Sequence, residues 1–167
     1  MTYEITHALL DLKWPNTYTR KNILNEGDKC YEGFALGYVW SWAHKKTAEE
    51  PGACLRLSQT TRDPKFREIY QLSKFLGEEF GAEFSTIQFN RNYQCNKHID
   101  GNNAGISHII GLGNYEGGEL LIYYDGPDQP PTAVDIKNRF YSFDGSTYYH
   151  ETAPFTGDRI TLVYFSL

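Results

Sequence analysis

The chain has 167 residues, 40% apolar, 22% charged and 16% aromatic, with a formal net charge of −5. That is the composition of a globular domain able to bury roughly two-thirds of its unfolded surface without covalent staples, and it excludes low-complexity and fibrous chains. The charge is uneven, 11 basic against 11 acidic residues up to Phe80 and 5 against 10 beyond it, which argues against a broad polyanion-binding surface on the second half and leaves room for a local basic patch on the first.

Cys30, Cys54 and Cys95 are odd in number and lack CxxC spacing, so reduced thiols are expected rather than a disulfide framework or a zinc cage. Met1-Thr2-Tyr3-Glu4 has neither the basic nor the apolar region of a signal peptide, and no apolar run approaches a membrane span. The expectation is a soluble intracellular protein of the cytoplasm or nucleus with no membrane partner. A single domain over residues 1–167 is expected, with 1–80 as an N-terminal α/β support and 81–167 as the core.

Turn-like clusters at Trp14-Pro15-Asn16, Asn25-Glu26-Gly27-Asp28 and Glu49-Glu50-Pro51-Gly52 break the first sixty residues into short mixed stretches. Residues 34–42 are aromatic and form a strand candidate, on which Trp40, Trp42 and His44 would share a face and read as core. Asp63-Pro64 supplies a cap oxygen followed by proline at the first helical position. Phe66, Ile69, Tyr70, Phe75, Leu76 and Phe80 then recur at helical spacing, predicting an amphipathic helix over 64–80. Arg62, Lys65 and Arg67 at its start read as a solvated face.

From Gly81 the texture changes to short runs rich in Ile, Tyr, Phe and Val, punctuated by Gly, Asn, Asp and Pro. Strands are predicted at 84–91, 94–99, 106–112, 119–124, 132–136, 139–143, 147–152 and 159–166. The fold class is therefore mostly β with flanking α, of the jelly-roll kind.

The chemistry-bearing stretch is Asn90 to Asp100, which ends in His98-Ile99-Asp100. On an extended strand, positions i and i+2 face one way, so His98 and Asp100 would grip a metal ion from one side, with His150 as the candidate third ligand. Two histidines and one carboxylate leave adjacent coordination positions open, the arrangement used by non-haem Fe(II), whereas a structural zinc site closes with four protein ligands. On the last strand, alternation puts Arg159, Thr161, Val163 and Phe165 on one face and Ile160, Leu162 and Tyr164 on the other. A guanidinium on that face needs a partner: a ligand carboxylate, or a structural acid such as Asp144 or Glu119.

His98-x-Asp100, Gly117-Gly118-Glu119-Leu120, His150 and Gly157-Asp158-Arg159-Ile160-Thr161-Leu162 together resemble, in order and spacing, the Fe(II)/2-oxoglutarate-dependent dioxygenases. The match covers about residues 84–167. It implies a double-stranded β-helix with His98, Asp100 and His150 as iron ligands and catalytic centre, Arg159 and Thr161 on the distal carboxylate of 2-oxoglutarate, and Tyr93 as a further cosubstrate contact. It further implies hydroxylation of a C–H bond with O2, with ascorbate as a reductant, and Asp100 in place of a small residue argues against the related halogenases. Residues 98–103 followed by Ile110 to Leu120 look most like the TET/JBP-type branch, which oxidises the methyl group of thymine or 5-methylcytosine, so a nucleobase or nucleic-acid partner is implied. Asn102, Asn103, His108 and Tyr148 are the candidate substrate residues, weighed against tyrosines and a histidine that merely pack. A protein hydroxylase of the prolyl type is the alternative, disfavoured by Arg159 where those enzymes generally use lysine, and a non-catalytic jelly-roll binding module is the rival from another class.

Overall fold

The computed structural model describes residues 1–40 and 55–167. Helix α1 (Thr2–Asp11) is followed by β1 (Asn16–Thr17), a 3-10 turn (Lys21–Ile23), β2 (Tyr31–Trp40), β3 (Leu55–Leu57), the short α2 (Gln59–Arg62), a second 3-10 turn (Pro64–Phe66) and α3 (Arg67–Phe80). Nine further strands complete the chain: β4 (Thr86–Arg91), β5 (Ala104–Leu112), β6 (Tyr115–Gly117), β7 (Leu120–Tyr123), β8 (Thr132–Val134), β9 (Tyr141–Phe143), β10 (Tyr149–Thr152), β11 (Phe155–Gly157) and β12 (Ile160–Ser166).

The helix expected over 64–80 forms as a 3-10 turn running into α3. Asp63 accepts a hydrogen bond from the Lys65 N–H at 3.0 Å, and Pro64 has no N–H to leave unsatisfied. Gly81, at φ 88°, ends the helix in the left-handed conformation. Ile69, Ser73 and Gly77 form the buried line of α3. It packs on the sheet tightly at Gly77, where a Cβ would lie 2.5 Å from the ring of Tyr164; the Tyr164 hydroxyl donates to the Ser73 carbonyl. On α1, Ile5 and Leu9 are buried one turn apart, and the Trp14 indole N–H donates to the Leu9 carbonyl at 2.8 Å.

A seven-stranded antiparallel sheet in the order β1-β2-β4-β12-β5-β9, with β3 on β2, forms one layer, and a three-stranded sheet, β10-β7-β8, forms a second. Two cores follow from strand alternation. Phe34, Leu36, Ile87, Phe89, Ile110, Leu112, Ile160, Leu162 and Tyr164 turn to α1 and α3. Ile109 and Phe143 of the large sheet meet Leu120 and Ile122 of the small one, with Val163 packed against them. This is the jelly-roll core with flanking helices that the composition and turn spacing predict.

Several expectations are corrected. Residue 80 is no seam, because β2 pairs with β4 from Glu32↔Arg91 to Gly37↔Thr86 and so belongs to the large sheet. Residues 94–99 do not form a strand; within that stretch only His98 makes a bridge. Trp40 is exposed rather than core, while Trp42, His44 and Glu49 to Gly52 lie outside the described residues. The short ribbon of β6 with β11 is too brief to show a period and was not expected. Among the described residues no helix is long and apolar enough to cross a membrane.

Candidate metal and anion site

His98 and His150 form an isolated antiparallel bridge, with His98 N–H on the His150 carbonyl at 3.0 Å and His150 N–H on the His98 carbonyl at 2.9 Å. Directly opposed residues of an antiparallel pair project to the same face, so the backbone itself sets the imidazoles side by side, with ring centroids 4.3 Å apart. Asp100 joins them through a turn rather than through strand periodicity. Its N–H donates to the Gly145 carbonyl and its own carbonyl accepts from Asn103, which swings the carboxylate back. Asp100 Oδ1 lies 3.6 Å from His98 Nε2 and Oδ2 lies 3.3 Å from His150 Nε2. One donor atom from each of the three residues falls within 4.8 Å of the others.

Hydrogen bonds behind the rings set their tautomers. His98 Nδ1 meets the Asn96 carbonyl at 2.6 Å and His150 Nδ1 meets the Tyr148 carbonyl at 2.9 Å. A carbonyl only accepts, so each Nδ1 carries a hydrogen, and in the neutral form of either ring the Nε2 turned to Asp100 is a bare lone pair. Burial, then the neighbouring His150, push the His98 pKa down to about 4. For Asp100, burial alone would raise the pKa. The contact with His150, the Arg20 guanidinium and His98 outweigh it and hold the carboxyl well below the usual range. Two lone pairs and an anion converging on one point call for a cation, and a two-nitrogen, one-oxygen donor set fits Fe(II).

The triad opens on a cavity of about 500 Å³ whose walls include Gln88, Asn90, Cys95, Ile109, Leu120, Phe143, Arg159, Thr161, Val163 and Phe165. Arg159, just before β12, and Thr161, Val163 and Phe165 on it, predicted to share a face, thus all reach it. Arg159 is 4% exposed. Its Nε and Nη2 donate to the Gly118 carbonyl at 3.2 and 2.9 Å, and the rings of Tyr115 and Phe155 flank the guanidinium. Among the described residues no carboxylate pairs with Arg159; the Asp144 carboxylate is taken by Ser146 and Thr147, and Glu119 makes no ion pair with it. Burial lowers its pKa, with Tyr115 and Cys95 opposing the shift. A buried guanidinium that lines a cavity and pairs with no carboxylate among the described residues has donors to offer an external anion. Beside it, Asn90 Nδ2 donates to Thr161 Oγ1 at 3.2 Å, and Gln88 Nε2 reaches Asn90 Oδ1 and the Tyr31 hydroxyl.

Of the other expected residues, Asn102 and Asn103 lie on the cavity wall. Tyr93, His108 and Tyr148 do not, and each has a physical reason. The Tyr93 hydroxyl is committed to the Asn25 N–H at 2.7 Å and Asp28 Oδ2 at 2.8 Å. His108 binds the Ser142 hydroxyl and lies edge-on to Phe80. Tyr148 packs edge-on to Tyr124 over the second core. Sequence reasoning missed Gln88 and Asn90, although polar residues alternating with Ile87 and Phe89 on a buried strand were a visible signal. It also missed Thr19, Arg20 and Asn22, which carried none.

Fold and site together are a jelly roll with a His-Asp-His donor set and, just before its last strand, a buried arginine with no paired carboxylate among the described residues; the fold is shared with solved 2-oxoglutarate/Fe(II) oxygenases. The chain is similar to a 2OG-Fe(II) oxygenase family oxidoreductase from Burkholderia pseudomallei, at 20% identity and a TM-score of 0.59 over 98% of this chain and 76% of that one. It is similar to NgTET1, solved in complex with 5mC DNA, at 16% identity and a TM-score of 0.58 over 99% of this chain and 67% of that one. OsALKBH1 follows at 10% identity and a TM-score of 0.56, covering 99% and 91% of the two chains. No family model and no curated protein sequence matches the chain.

Proposed function

We propose that the chain is an Fe(II)- and 2-oxoglutarate-dependent dioxygenase that hydroxylates the methyl group of a nucleobase of the thymine or 5-methylcytosine type. The observation that carries the class is one cavity holding both the triad, whose bare Nε2 atoms and ionised carboxylate await a cation, and the buried Arg159, which awaits an anion. His98, Asp100 and His150 would hold the metal, and Arg159 with Thr161 would take the distal carboxylate of 2-oxoglutarate. When bound, metal and cosubstrate supply activation of O2 and decarboxylation to succinate, with ascorbate as a reductant of the iron. The chain's own part is placement. The Nδ1–H bonds to Asn96 and Tyr148 keep both imidazoles aimed, and Arg159 is already oriented by the Gly118 carbonyl. Ile109, Leu120, Phe143 and Val163 keep one side of the cavity apolar.

The likeness to NgTET1 supports the nucleobase. So do the amides of Asn22, Asn102 and Asn103 at the cavity wall, since amide groups match the donor and acceptor edges of a base. A base must leave its stack to enter such a cavity, and a chain of net charge −5 suits a single-stranded or nucleoside substrate better than an unaided duplex. A protein side chain is the second reading, favoured by the likeness to a Pseudomonas putida prolyl-4-hydroxylase, at 15% identity and a TM-score of 0.50 over 98% of this chain and 82% of that one. The test is mass spectrometry of methylated oligonucleotides and of proline-containing peptides after incubation with the protein, Fe(II), 2-oxoglutarate and O2. A gain of one oxygen on the oligonucleotide is expected; oxygen on peptides alone would end the nucleobase reading.

A further inference from the structure

The ladder of β12 begins at Ile160, opposite Arg91 of β4, so Arg159 stands one residue before the regular pairing that would fix its backbone. Asn92 stands one residue beyond the end of β4 and takes the next place in that register. Its N–H donates to the Arg159 carbonyl at 2.8 Å, and its side-chain Oδ1 accepts from the Arg159 N–H at 2.7 Å. In a hydrogen-bonded antiparallel pair the second acceptor is a backbone carbonyl. Here the side-chain oxygen stands in for it, because Asn92 is in the left-handed conformation at φ 48° and its own backbone has left the strand. The other end of the amide is anchored too: Nδ2 donates to Asp158 Oδ1 at 3.0 Å, and the Asp158 N–H donates to the Asn114 carbonyl at 2.9 Å. Asn92 thus grips both peptide units that flank the Arg159 Cα.

Asn92 is itself exposed and is not part of the cavity wall. What it fixes is the direction in which the Arg159 side chain leaves the backbone. Further out, the Gly118 carbonyl and the rings of Tyr115 and Phe155 hold the guanidinium, and those contacts are met only if the root of the side chain is aimed at them. A long side chain magnifies a small tilt at its root, and a donor that is already in place binds an anion more tightly than one that must be ordered on binding. We propose, building on the dioxygenase reading, that Asn92 is a positioning residue for Arg159. It touches no ligand, and by completing the strand beside the arginine its side-chain amide sets the affinity of the cavity for the distal carboxylate of 2-oxoglutarate.

The full chain, loaded with Fe(II) without oxygen, is titrated with 2-oxoglutarate and with 2-oxobutanoate, which keeps the 2-oxo acid end but lacks the distal carboxylate. Binding is read from the visible charge-transfer absorption, with no turnover involved. Asn92→Gly keeps the left-handed backbone and its N–H bond and removes only the amide. It is expected to weaken 2-oxoglutarate about fivefold, as the loss of one hydrogen bond does, and to leave 2-oxobutanoate and Fe(II) at wild-type affinity. A residue that merely holds the fold together would shift both acids or neither, so either result overturns the proposal. Asp158→Ala separates positioning from charge. Removing a negative charge one residue from Arg159 favours anion binding on electrostatic grounds, whereas releasing the Asn92 amide weakens it. 2-Oxoglutarate is expected to bind about twofold to threefold more weakly to this variant, with 2-oxobutanoate unweakened. Equal or tighter binding of 2-oxoglutarate overturns the proposal. The Asp158 side chain is 58% exposed, so this variant decides the matter should Asn92→Gly not fold. If the wild type shows no band with 2-oxoglutarate, the dioxygenase reading itself fails, an outcome distinct from any that concerns Asn92 alone.

Discussion

The pH response of this protein rests on His98, an imidazole kept neutral inside the fold with its pKa at about 4 against an ordinary 6.5. Between those two values the unfolded chain binds a proton that the folded one refuses, so stability falls as the pH drops from about 6.5 to about 4. Asp100, depressed in the folded state, acts in the same direction at lower pH. A shift of this size is worth on the order of 3 kcal/mol. Urea denaturation of the metal-stripped protein at pH 7 and pH 4.5 checks it: the wild type should lose stability at the lower pH and His98→Asn should lose much less, while equal losses would mean that other groups carry the effect. At this scale the sequence was informative about residue types and poor on contacts. His98, Asp100, His150 and Arg159 could be picked out because few folds need those types at those spacings. Arg20 could not, since its meaning lies in a contact with a residue 80 positions away. Tyr93 was misplaced for the same reason, its hydroxyl being taken by a loop that has no sequence signature.

Among the elements, the turn between β6 and β7 does more than reverse the chain. Gly118 has φ +68°, its carbonyl accepts both bonds from Arg159, and a Cβ there would lie 2.6 Å from Arg159 Nε. Glycine is therefore required twice, for the left-handed backbone and for the space that the guanidinium occupies. Gly118→Ala should cost about 1–3 kcal/mol and weaken 2-oxoglutarate binding while sparing Fe(II) binding. Gly126→Ala is the control, with φ +112° and open space around the position. It should lose stability alone, and if Gly118→Ala binds 2-oxoglutarate as tightly as Gly126→Ala does, the turn has no part in holding Arg159. The Gly-Gly pair was legible as a turn but its second duty was not, because nothing local reveals which side chain will lie over a glycine. Long periodic elements such as α3 and β12 could be read with nearly their observed limits. The stretch 94–99 was misread because its apolar and polar mixture satisfies a strand pattern, whereas its backbone is held mainly by cross-chain bonds to Ile23, Thr152 and His150.

For the whole molecule, the arrangement of strands matters more than their number. β12, the last strand, lies between β4 and β5, and β2 from the first forty residues pairs with β4, so the large sheet closes only when both ends of the chain have arrived. The backbone amides of β4 and β12, buried between neighbours on both sides, should be the slowest to exchange with deuterium. Those of 92–103 and of the segment around Arg20 should be far faster in the metal-free protein. Equal protection throughout would mean that the site opens only when the whole fold does. Such long-range pairing explains why, within the single domain expected, residues 1–80 read from the sequence as a support rather than as part of the large sheet: local patterns show elements, but not which of them meet.

The His98–His150 bridge carries one more implication. It is the place where the irregular 92–103 segment is fastened to the small sheet, and its two hydrogen bonds are the backbone counterpart of a clasp. A divalent ion gripped by the side chains of those same two residues would tighten that clasp from the other side. It would then turn free energy of coordination into resistance of this segment to local opening, so that loading the site and quieting its mouth become a single thermodynamic event.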